Sequence, residues 1–331
     1  MEKKKSKKLM EQVQMLLSER GQKAFEIAKK TILQEKIKYE PMCEALHYFM
    51  KETWYDVQHP ALISLTCEAV GGNPEAMTQI GAAMILLAGS ADIHDDIIDK
   101  SEIKDSKPTV LGKFNKDVAL LVGDALLFIG LTLLHEACEK LPRKQGQTIL
   151  DLTKQAFFEI ASAEAKEAGF KGKYDLTPEQ YYKVIEMKAA AAEANARIGA
   201  ILGGGNPKEI DALGHYGRTL GILMTIRDDF IDMFEPDELS NRAKNECLPL
   251  PILYAFRDTR KKSEIARLLM TNNITEQETQ KILNLIIDMK EVQELKKQMQ
   301  MLVKKSEHAL NCIKRNRKIL KLLLQSTLED L

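Results

Sequence analysis

Three aspartates at the end of an apolar helical segment could hold a hard metal ion. The segment Met84–Asp99 is mostly apolar up to Ile93, and its last turn carries Asp95, Asp96 and Asp99. Residues three and four positions apart share one face of an α-helix, so the three carboxylates project together. Crowded like charges need a compensating cation, and a set of oxygen ligands favours Mg²⁺. The spacing predicts a metal site, with a solvated helix end as the alternative.

The same arrangement occurs a second time in the chain. The second cluster lies 133 positions downstream and consists of Asp228, Asp229 and Asp232. A Gly-Gly-Asn-Pro segment precedes each cluster, at 71–74 and at 204–207. Asn before Pro is a helix start signal, and 21 residues from that Pro to the first Asp give a helix about 32 Å long. Two equal helices could therefore face each other across one bundle and hold metal between their carboxylates.

Composition excludes several classes of protein. The 331 residues carry 48 basic and 48 acidic side chains, so the net charge indicates no nucleic-acid partner. Five scattered cysteines without CxxC spacing indicate a reduced, cytoplasmic chain with no disulfide framework or zinc site. No apolar run approaches about 20 residues, so we expect no transmembrane segment. No shift in composition divides residues 1–331, which we treat as a single domain.

Periodicity predicts an all-α fold of ten or more helices. Apolar residues recur at three- and four-residue spacing, and they predict helices over 8–38, 40–53, 61–70, 117–138, 147–168, 178–202, 281–302 and 307–324. No segment shows the alternation of a strand. The polar segments 100–109 and 234–250 follow the two clusters, and we expect loops there, the second a lid over the site.

With both clusters in place, the chain resembles the trans-isoprenyl diphosphate synthases, or polyprenyl synthetases, over nearly its full length. The matching residues are Asp95-Asp96-Ile-Ile-Asp99, Lys107-Pro108-Thr109, Gly123-Asp124-Ala125-Leu126, Lys188, Asp228-Asp229-Phe-Ile-Asp232 and Leu250-Pro251-Ile-Leu-Tyr254. The resemblance implies an isoprenoid-synthase-type bundle around a central cavity. It also implies a homodimer, or a heteromer with a homologous synthase, and a class I enzyme that ionises an allylic prenyl diphosphate with three Mg²⁺ ions bridged by the substrate.

The resemblance assigns roles to particular residues. All six aspartates are implied to be catalytic, and the metal ligands among them are Asp95, Asp99, Asp228 and Asp232. The implied contacts of the substrate diphosphate are Lys104, Lys188 and Lys244. The implied chain-length pocket consists of Leu87, Ser90 and Ala91, of which the last two are small and indicate a deep cavity for chains of about 15 carbons or more.

The acceptor side departs from the family pattern. Chain-elongating members bind the diphosphate of isopentenyl diphosphate with basic residues before the helix near Ala61 and after the first aspartate motif. In this chain the altered acceptor site contains Asp56, Val57, His59 and Asp105. Each lost cation removes charge-assisted hydrogen bonds worth about 1.5 to 3 kcal/mol, and the two carboxylates add repulsion.

Three functions remain open from the sequence. The principal expectation is ionisation of an allylic diphosphate followed by cyclisation, elimination or transfer to an acceptor other than isopentenyl diphosphate, as in a terpene synthase. The first alternative is ordinary chain elongation, with the acceptor held by basic residues elsewhere. The second alternative is a non-catalytic subunit of a heteromeric synthase, which the intact aspartate clusters argue against.

Overall fold

The computed structural model describes residues 2–104, 106–271 and 274–329, and almost all of these lie in helices. The first half of the chain contains α1 (Glu2–Leu33), α2 (Glu40–Tyr48), α3 (Gln58–Val70), α4 (Thr78–Asp99), α5 (Val110–Lys113), α6 (Lys116–Glu139) and α7 (Arg143–Ala168). The second half contains α8 (Pro178–Lys188), α9 (Ala190–Leu202), α10 (Pro207–Asp232), α11 (Pro236–Asn245), α12 (Leu250–Ala255), α13 (Thr259–Leu269), α14 (Glu276–Ile286), α15 (Lys290–Ala309) and α16 (Arg317–Ser326). The predicted all-α bundle of ten or more helices is confirmed.

Three short helical turns and one β-hairpin complete the described chain. A π-helical turn, Phe49–Thr53, follows α2, and 3₁₀ turns occupy Pro74–Met77 and Leu310–Cys312. The segment 100–109, predicted as a loop, contains a small antiparallel hairpin of β1 (Ile103–Lys104) and β2 (Lys107–Pro108).

The two repeat helices, α4 and α10, lie in the centre of the bundle. α4 packs against α6, α1 and α3, whereas α10 packs against α9, α15 and α8. Asn206 caps α10 through a capping box with Glu209, so this helix starts at the predicted Pro207. The first copy has Ala76 at the position of Glu209, and its chain forms a 3₁₀ turn before α4 begins at Thr78. The repeat therefore predicts the C-terminal ends of both helices, where the carboxylates lie. It also predicts the start of α10, but α4 begins at Thr78 rather than at Pro74.

The predicted helix over 178–202 is two helices. α8 ends at Lys188 and α9 begins at Ala190, with Ala189 between them at φ −67° and ψ −1°. Gly221 of α10 lies against this break, and a Cβ added there would be 2.9 Å from the Cβ of Ala189. α8 therefore ends at Lys188, at the point where α10 approaches the chain closely.

The predicted lid loop over 234–250 is wrong for most of its length, because α11 occupies it. Pro236 stands in the first turn of α11 with Asp237 and Glu238, and Arg242 and Lys244 stand in its last turn. This distribution of charge favours a helix by its interaction with the helix dipole.

α6 and α7 expose large apolar side chains. α6 is long and apolar enough to cross a membrane by length and composition alone, and 39% of its most apolar window is buried; a single helix of this kind is weak evidence for a membrane span. The large exposed apolar residues of α6 and α7 are Leu120, Leu121, Phe128, Leu131, Phe157 and Phe158, which we call the α6/α7 face. Apolar patches of this kind mark interaction surfaces.

Candidate active site

The first aspartate cluster lies at the C-terminal end of α4 and is largely buried. Asp96 and Asp99 are 5% and 7% exposed. Lys104 Nζ lies 3.7 Å from Asp96 Oδ1 and 2.7 Å from Asp92 Oδ1. Lys171, between α7 and α8, has its Nζ 3.2 Å from Asp99 Oδ1. Two ammonium groups therefore compensate part of the negative charge of this cluster.

The second cluster lies at the C-terminal end of α10, where Asp229 is held by three donors. Asp229 is 2% exposed and accepts hydrogen bonds from Arg242, from the Tyr181 hydroxyl at 3.3 Å and from the Leu250 backbone N–H at 3.0 Å. Asp232 is half-buried, with Oδ2 3.9 Å from Arg242 Nε. Hydrogen bonds from three donors therefore fix the position of the Asp229 carboxylate.

Helix α11 joins the two clusters. The Asn241 amide donates to Ser101 Oγ at 3.0 Å and to the Asp99 carbonyl at 3.5 Å, just beyond the first cluster. The same amide donates to Glu246 at 2.5 Å, and Arg242 Nη1 lies 3.3 Å from Glu246 Oε2. Because Arg242 also binds the second cluster, a continuous polar network connects the ends of α4 and α10.

Lys188 adds a buried cation at the end of α8. Its Nζ lies 2.5 Å from Glu167 Oε2 and 3.1 Å from Glu164 Oε1, both on α7. Burial raises the pKa of Glu164 to about 8 although Lys188 opposes the shift. Burial lowers the pKa of Lys188, but the charges of Glu167, Asp95 and Glu164 outweigh burial and raise it above its usual range. Lys188 therefore stays positively charged.

Four aspartates of the two clusters have pKa values above the ordinary value. Burial, with repulsion from neighbouring carboxylates, raises the pKa of Asp96 to about 8 and that of Asp99 to about 6. Desolvation by the surrounding protein also raises the pKa of Asp228 to about 6 and that of Asp232 to about 7. At these carboxylates, burial and mutual repulsion therefore outweigh the positive charge of Lys104, Lys171 and Arg242.

The donor set fits Mg²⁺ that is shared with a substrate. Asp95 Oδ1 is buried and accepts no hydrogen bond, which leaves an oxygen ligand at the first cluster. Over the described ranges of the chain, no three His, Cys, Asp or Glu side chains converge closely enough to hold a metal ion alone. Mg²⁺ binds through one or two carboxylates plus phosphate oxygens. The two clusters therefore suit ions whose coordination a diphosphate completes.

The predicted altered acceptor site is a fixed turn at the start of α3. His59 Nδ1 lies 2.7 Å from Asp56 Oδ2, and Asp56 Oδ1 accepts the backbone N–H groups of Gln58 at 2.9 Å and His59 at 3.3 Å. Val57 is buried against Gly21 of α1, where an added Cβ would be 2.5 Å from the Val57 carbonyl. Asp105 lies outside the described residues. Asp56 is thus engaged in capping α3 and pairing with His59.

A cavity with a volume of about 400 Å³ lies between α1, α3, α9, α10 and α16. Its polar lining includes Gln58, His59, Lys188, Asn195, Arg227 and Asp228. The three residues assigned to chain length do not line it: Ser90 is buried, Leu87 packs against α6, and Ala91 is exposed. Only Ser90 has the buried position that a pocket floor requires.

The three lysines assigned to the substrate occupy different settings. Lys188 lines the cavity, Lys104 lies beside the first cluster, and Lys244 is exposed on α11. Their contacts with a diphosphate remain predictions.

Several site residues carry no motif and are not predicted from the sequence. They are Glu164, Glu167, Lys171, Tyr181, Arg227, Asn241, Arg242 and Glu246. Arg242 and Glu246 stand at i and i+4, a helical ion-pair signal inside the segment 234–250 that the sequence predicts as a loop. Lys171 and the α7 glutamates carry no comparable signal, because only tertiary packing brings them to the clusters.

Comparison with solved structures identifies the class of fold. Geranylgeranyl pyrophosphate synthetase from Pyrococcus horikoshii superposes with a TM-score of 0.84 at 23% identity, covering 97% of this chain and 99% of that one. Heptaprenyl diphosphate synthase from Staphylococcus aureus superposes with a TM-score of 0.79 at 21% identity, covering 94% and 98%. The fold is the all-α fold of the isoprenoid synthases.

Sequence comparison identifies the family. The profile of the Polyprenyl synthetase family matches residues 57–286, and the chain belongs to that family, whose members are enzymes of the isoprenoid synthase class. A short chain isoprenyl diphosphate synthase from Methanothermobacter thermautotrophicus is 34% identical over 181 residues, 54% of each chain. A geranylgeranyl diphosphate synthase from Methanosarcina mazei is 30% identical over 195 residues, 57% of this chain and 58% of that one. The chain therefore spans little more than half the length of these relatives.

Proposed function

We propose that the protein is a Mg²⁺-dependent prenyltransferase that lengthens an allylic prenyl diphosphate with isopentenyl diphosphate. The observation that supports it best is the pair of carboxylate clusters at the ends of α4 and α10, linked through Arg242 and flanked by Lys188. The relatives are named as isoprenyl and geranylgeranyl diphosphate synthases, which favours the alternative of chain elongation over our principal expectation of terpene-synthase chemistry.

Each part of the site has a task in this reaction. The allylic C–O bond breaks with its electron pair going to the diphosphate, the alkene of the acceptor forms the new C–C bond, and a proton leaves the adjacent carbon. Bound Mg²⁺, proposed as three ions, supplies Lewis-acid stabilisation of the departing diphosphate. Asp95, Asp99, Asp228 and Asp232 hold the ions, while Lys188 adds a fixed positive charge.

A second candidate is ionisation without isopentenyl diphosphate. It is favoured by one observation, the turn at the start of α3, where Asp56 and Val57 stand in place of basic residues. The ion would then cyclise, lose a proton or react with another acceptor.

We also propose a homodimer formed through the α6/α7 face. Phe128 is 71% exposed and Leu121 is 53% exposed, and they lie seven residues apart on one side of α6. A two-fold interface buries the same patch on both copies, which suits such a face. A heteromer with a homologous synthase would use the same surface, and the cytoplasmic location remains a prediction.

One experiment separates the candidates. The purified protein is incubated with Mg²⁺ and farnesyl or geranylgeranyl diphosphate, with and without isopentenyl diphosphate, and both diphosphate release and extracted products are followed. Chain elongation predicts release that depends on isopentenyl diphosphate, with a longer prenyl diphosphate as product.

Two other results would contradict elongation. Release without isopentenyl diphosphate, giving an alcohol, an olefin or a cyclic hydrocarbon, supports the second candidate. Inactivity in both arms that is relieved by a homologous synthase supports a non-catalytic subunit. Asp228→Ala serves as the matched inactive control in every arm.

A further inference from the structure

Arg227 is a half-buried cation that forms no ion pair with the described carboxylates. Its buried Nε has no hydrogen-bond partner, and within the described residues it forms no ion pair. The other arginines of the core differ: Arg197 and Arg218 each contact two carboxylates, and Arg242 contacts three. Burial raises the pKa of the adjacent Asp228 and the charge of Arg227 opposes that shift, but the two side chains form no ion pair, because adjacent helical residues do not face each other. A buried guanidinium donor without a partner is unfavourable, which indicates a ligand.

The cavity beside Arg227 has the composition of a site for a small amphipathic anion. Its body is apolar and includes Leu62, Leu220 and Met224, while Arg227 and Lys188 contribute positive charge. A volume of about 400 Å³ falls in the range typical of small-molecule pockets. The ammonium group of Lys188 is already paired with two glutamates, so the guanidinium of Arg227 is the group whose N–H donors are available to a ligand.

His59 adds a second donor to the same cavity. Its Nδ1 is engaged by Asp56, and Asp56 is itself fixed by two backbone N–H groups, so Nε2 is the nitrogen left for a ligand. Burial lowers the pKa of His59, but the charge and hydrogen bond of Asp56 outweigh burial and raise it. An imidazolium held in this way presents an N–H donor to the cavity.

We propose that Arg227 and His59 bind the diphosphate of the acceptor substrate in this cavity. The assignment rests on the proposed chain elongation, and it gives the acceptor a cationic site although basic residues are missing from the turn before α3. Arginine suits the role because its planar fork binds phosphate oxygens in pairs, and the apolar body of the cavity receives the five-carbon chain.

The test compares Arg227→Gln, Arg227→Lys and His59→Gln with the exposed control Lys208→Gln, which lies on the same helix. Rates are measured against isopentenyl diphosphate at saturating farnesyl diphosphate and Mg²⁺, and then with the two substrates exchanged. Binding of isopentenyl diphosphate without metal is measured by calorimetry, and circular dichroism confirms folding.

Loss of a charge-assisted hydrogen bond should raise the KM for isopentenyl diphosphate about tenfold or more in Arg227→Gln. His59→Gln should raise it less, Arg227→Lys should recover part of the loss, and the KM for the allylic substrate should be unchanged.

The outcomes separate this proposal from the proposed function. If the wild-type protein never uses isopentenyl diphosphate, chain elongation and this assignment both fail. If the wild-type protein elongates but Arg227→Gln keeps its KM for isopentenyl diphosphate, only this assignment fails. An equal rise in both KM values would place Arg227 at the metal site and would also overturn the assignment.

Discussion

Arg242 of α11 donates directly to the buried carboxylate of Asp229, and this contact ties the second aspartate cluster to the rest of the site. The same guanidinium lies 3.3 Å from Glu246. Glu246 accepts a hydrogen bond from the Asn241 amide, which also donates to the backbone carbonyl of Asp99 at the end of α4. Burial raises the pKa of Asp229, while Arg242 and the Leu250 N–H oppose the shift. Arg242 therefore positions the cluster by neutralising its innermost carboxylate.

Replacing Arg242 by Ala should destabilise the fold and remove activity. It would leave Asp229 buried and unpaired, and breaking a buried ion pair costs about 3 to 5 kcal/mol of unfolding free energy. Urea unfolding of the variant measures the loss, and Lys154→Ala on the exposed side of α7 is the control. A variant as stable as Lys154→Ala would show that Asp229 does not depend on Arg242.

Asp95→Ala and Asp228→Ala should each lower kcat/KM about a hundredfold or more with the helical content unchanged. The reason is that each removes an oxygen ligand of an ion that stabilises the departing diphosphate, and such stabilisation is worth several kcal/mol. Diphosphate release reports activity, circular dichroism reports helicity, and Asp151→Asn on the exposed side of α7 is the control. Normal turnover by either alanine variant would contradict the assignment of metal ligands.

Stability without metal should fall as the pH rises. The pKa values of Asp99 and Asp228 are about 6, that of Asp232 is about 7 and that of Asp96 is about 8, against an ordinary value of 3.8. The folded chain therefore binds more protons than the unfolded chain between about pH 4 and pH 8, so the free energy of unfolding decreases through that window. Mg²⁺ with inorganic pyrophosphate favours the ionised carboxylates and should reverse the decrease.

The measurement is the Tm from pH 5 to pH 8, in EDTA and in Mg²⁺ with pyrophosphate. Asp96→Asn removes the group with the largest shift and should flatten the profile in EDTA, whereas Asp151→Asn should leave it unchanged. A Tm in EDTA that rises across this range would contradict the expected sign.

The sequence predicted the parts of the site that depend on local spacing. Both carboxylate clusters stand at helix ends, as the 133-residue repeat indicated, because a helical period fixes which side chains share a face. It did not predict the partners of those carboxylates, Lys171, Tyr181 and Arg242, because these come from three other segments and meet them only through packing. The break at Ala189 also escaped prediction, since four consecutive alanines favour a continuous helix and the close approach of α10 is not visible in one sequence.

The α6/α7 face should hold two copies of the chain together. Phe128→Glu places a charge in the middle of this apolar face and should convert a dimer at micromolar concentration into a monomer. Sedimentation velocity measures the change, and Lys297→Glu on the exposed side of α15 is the control. A wild-type chain that sediments as a monomer at that concentration would contradict the proposed dimer.

Ser90→Phe should shorten the longest prenyl chain that the protein makes or accepts. Ser90 is 2% exposed on α4, five residues before Asp95, whereas Ala91 is exposed and Leu87 packs against α6. In the proposed reaction, a ring added at this buried position fills space that a growing hydrocarbon chain would occupy, and circular dichroism checks that the overpacked variant still folds. Ser90→Ala is the matched control, because it removes the hydroxyl without adding volume. Products are compared by chromatography after identical incubations, and an unchanged chain-length profile in Ser90→Phe would show that Ser90 does not border the hydrocarbon path.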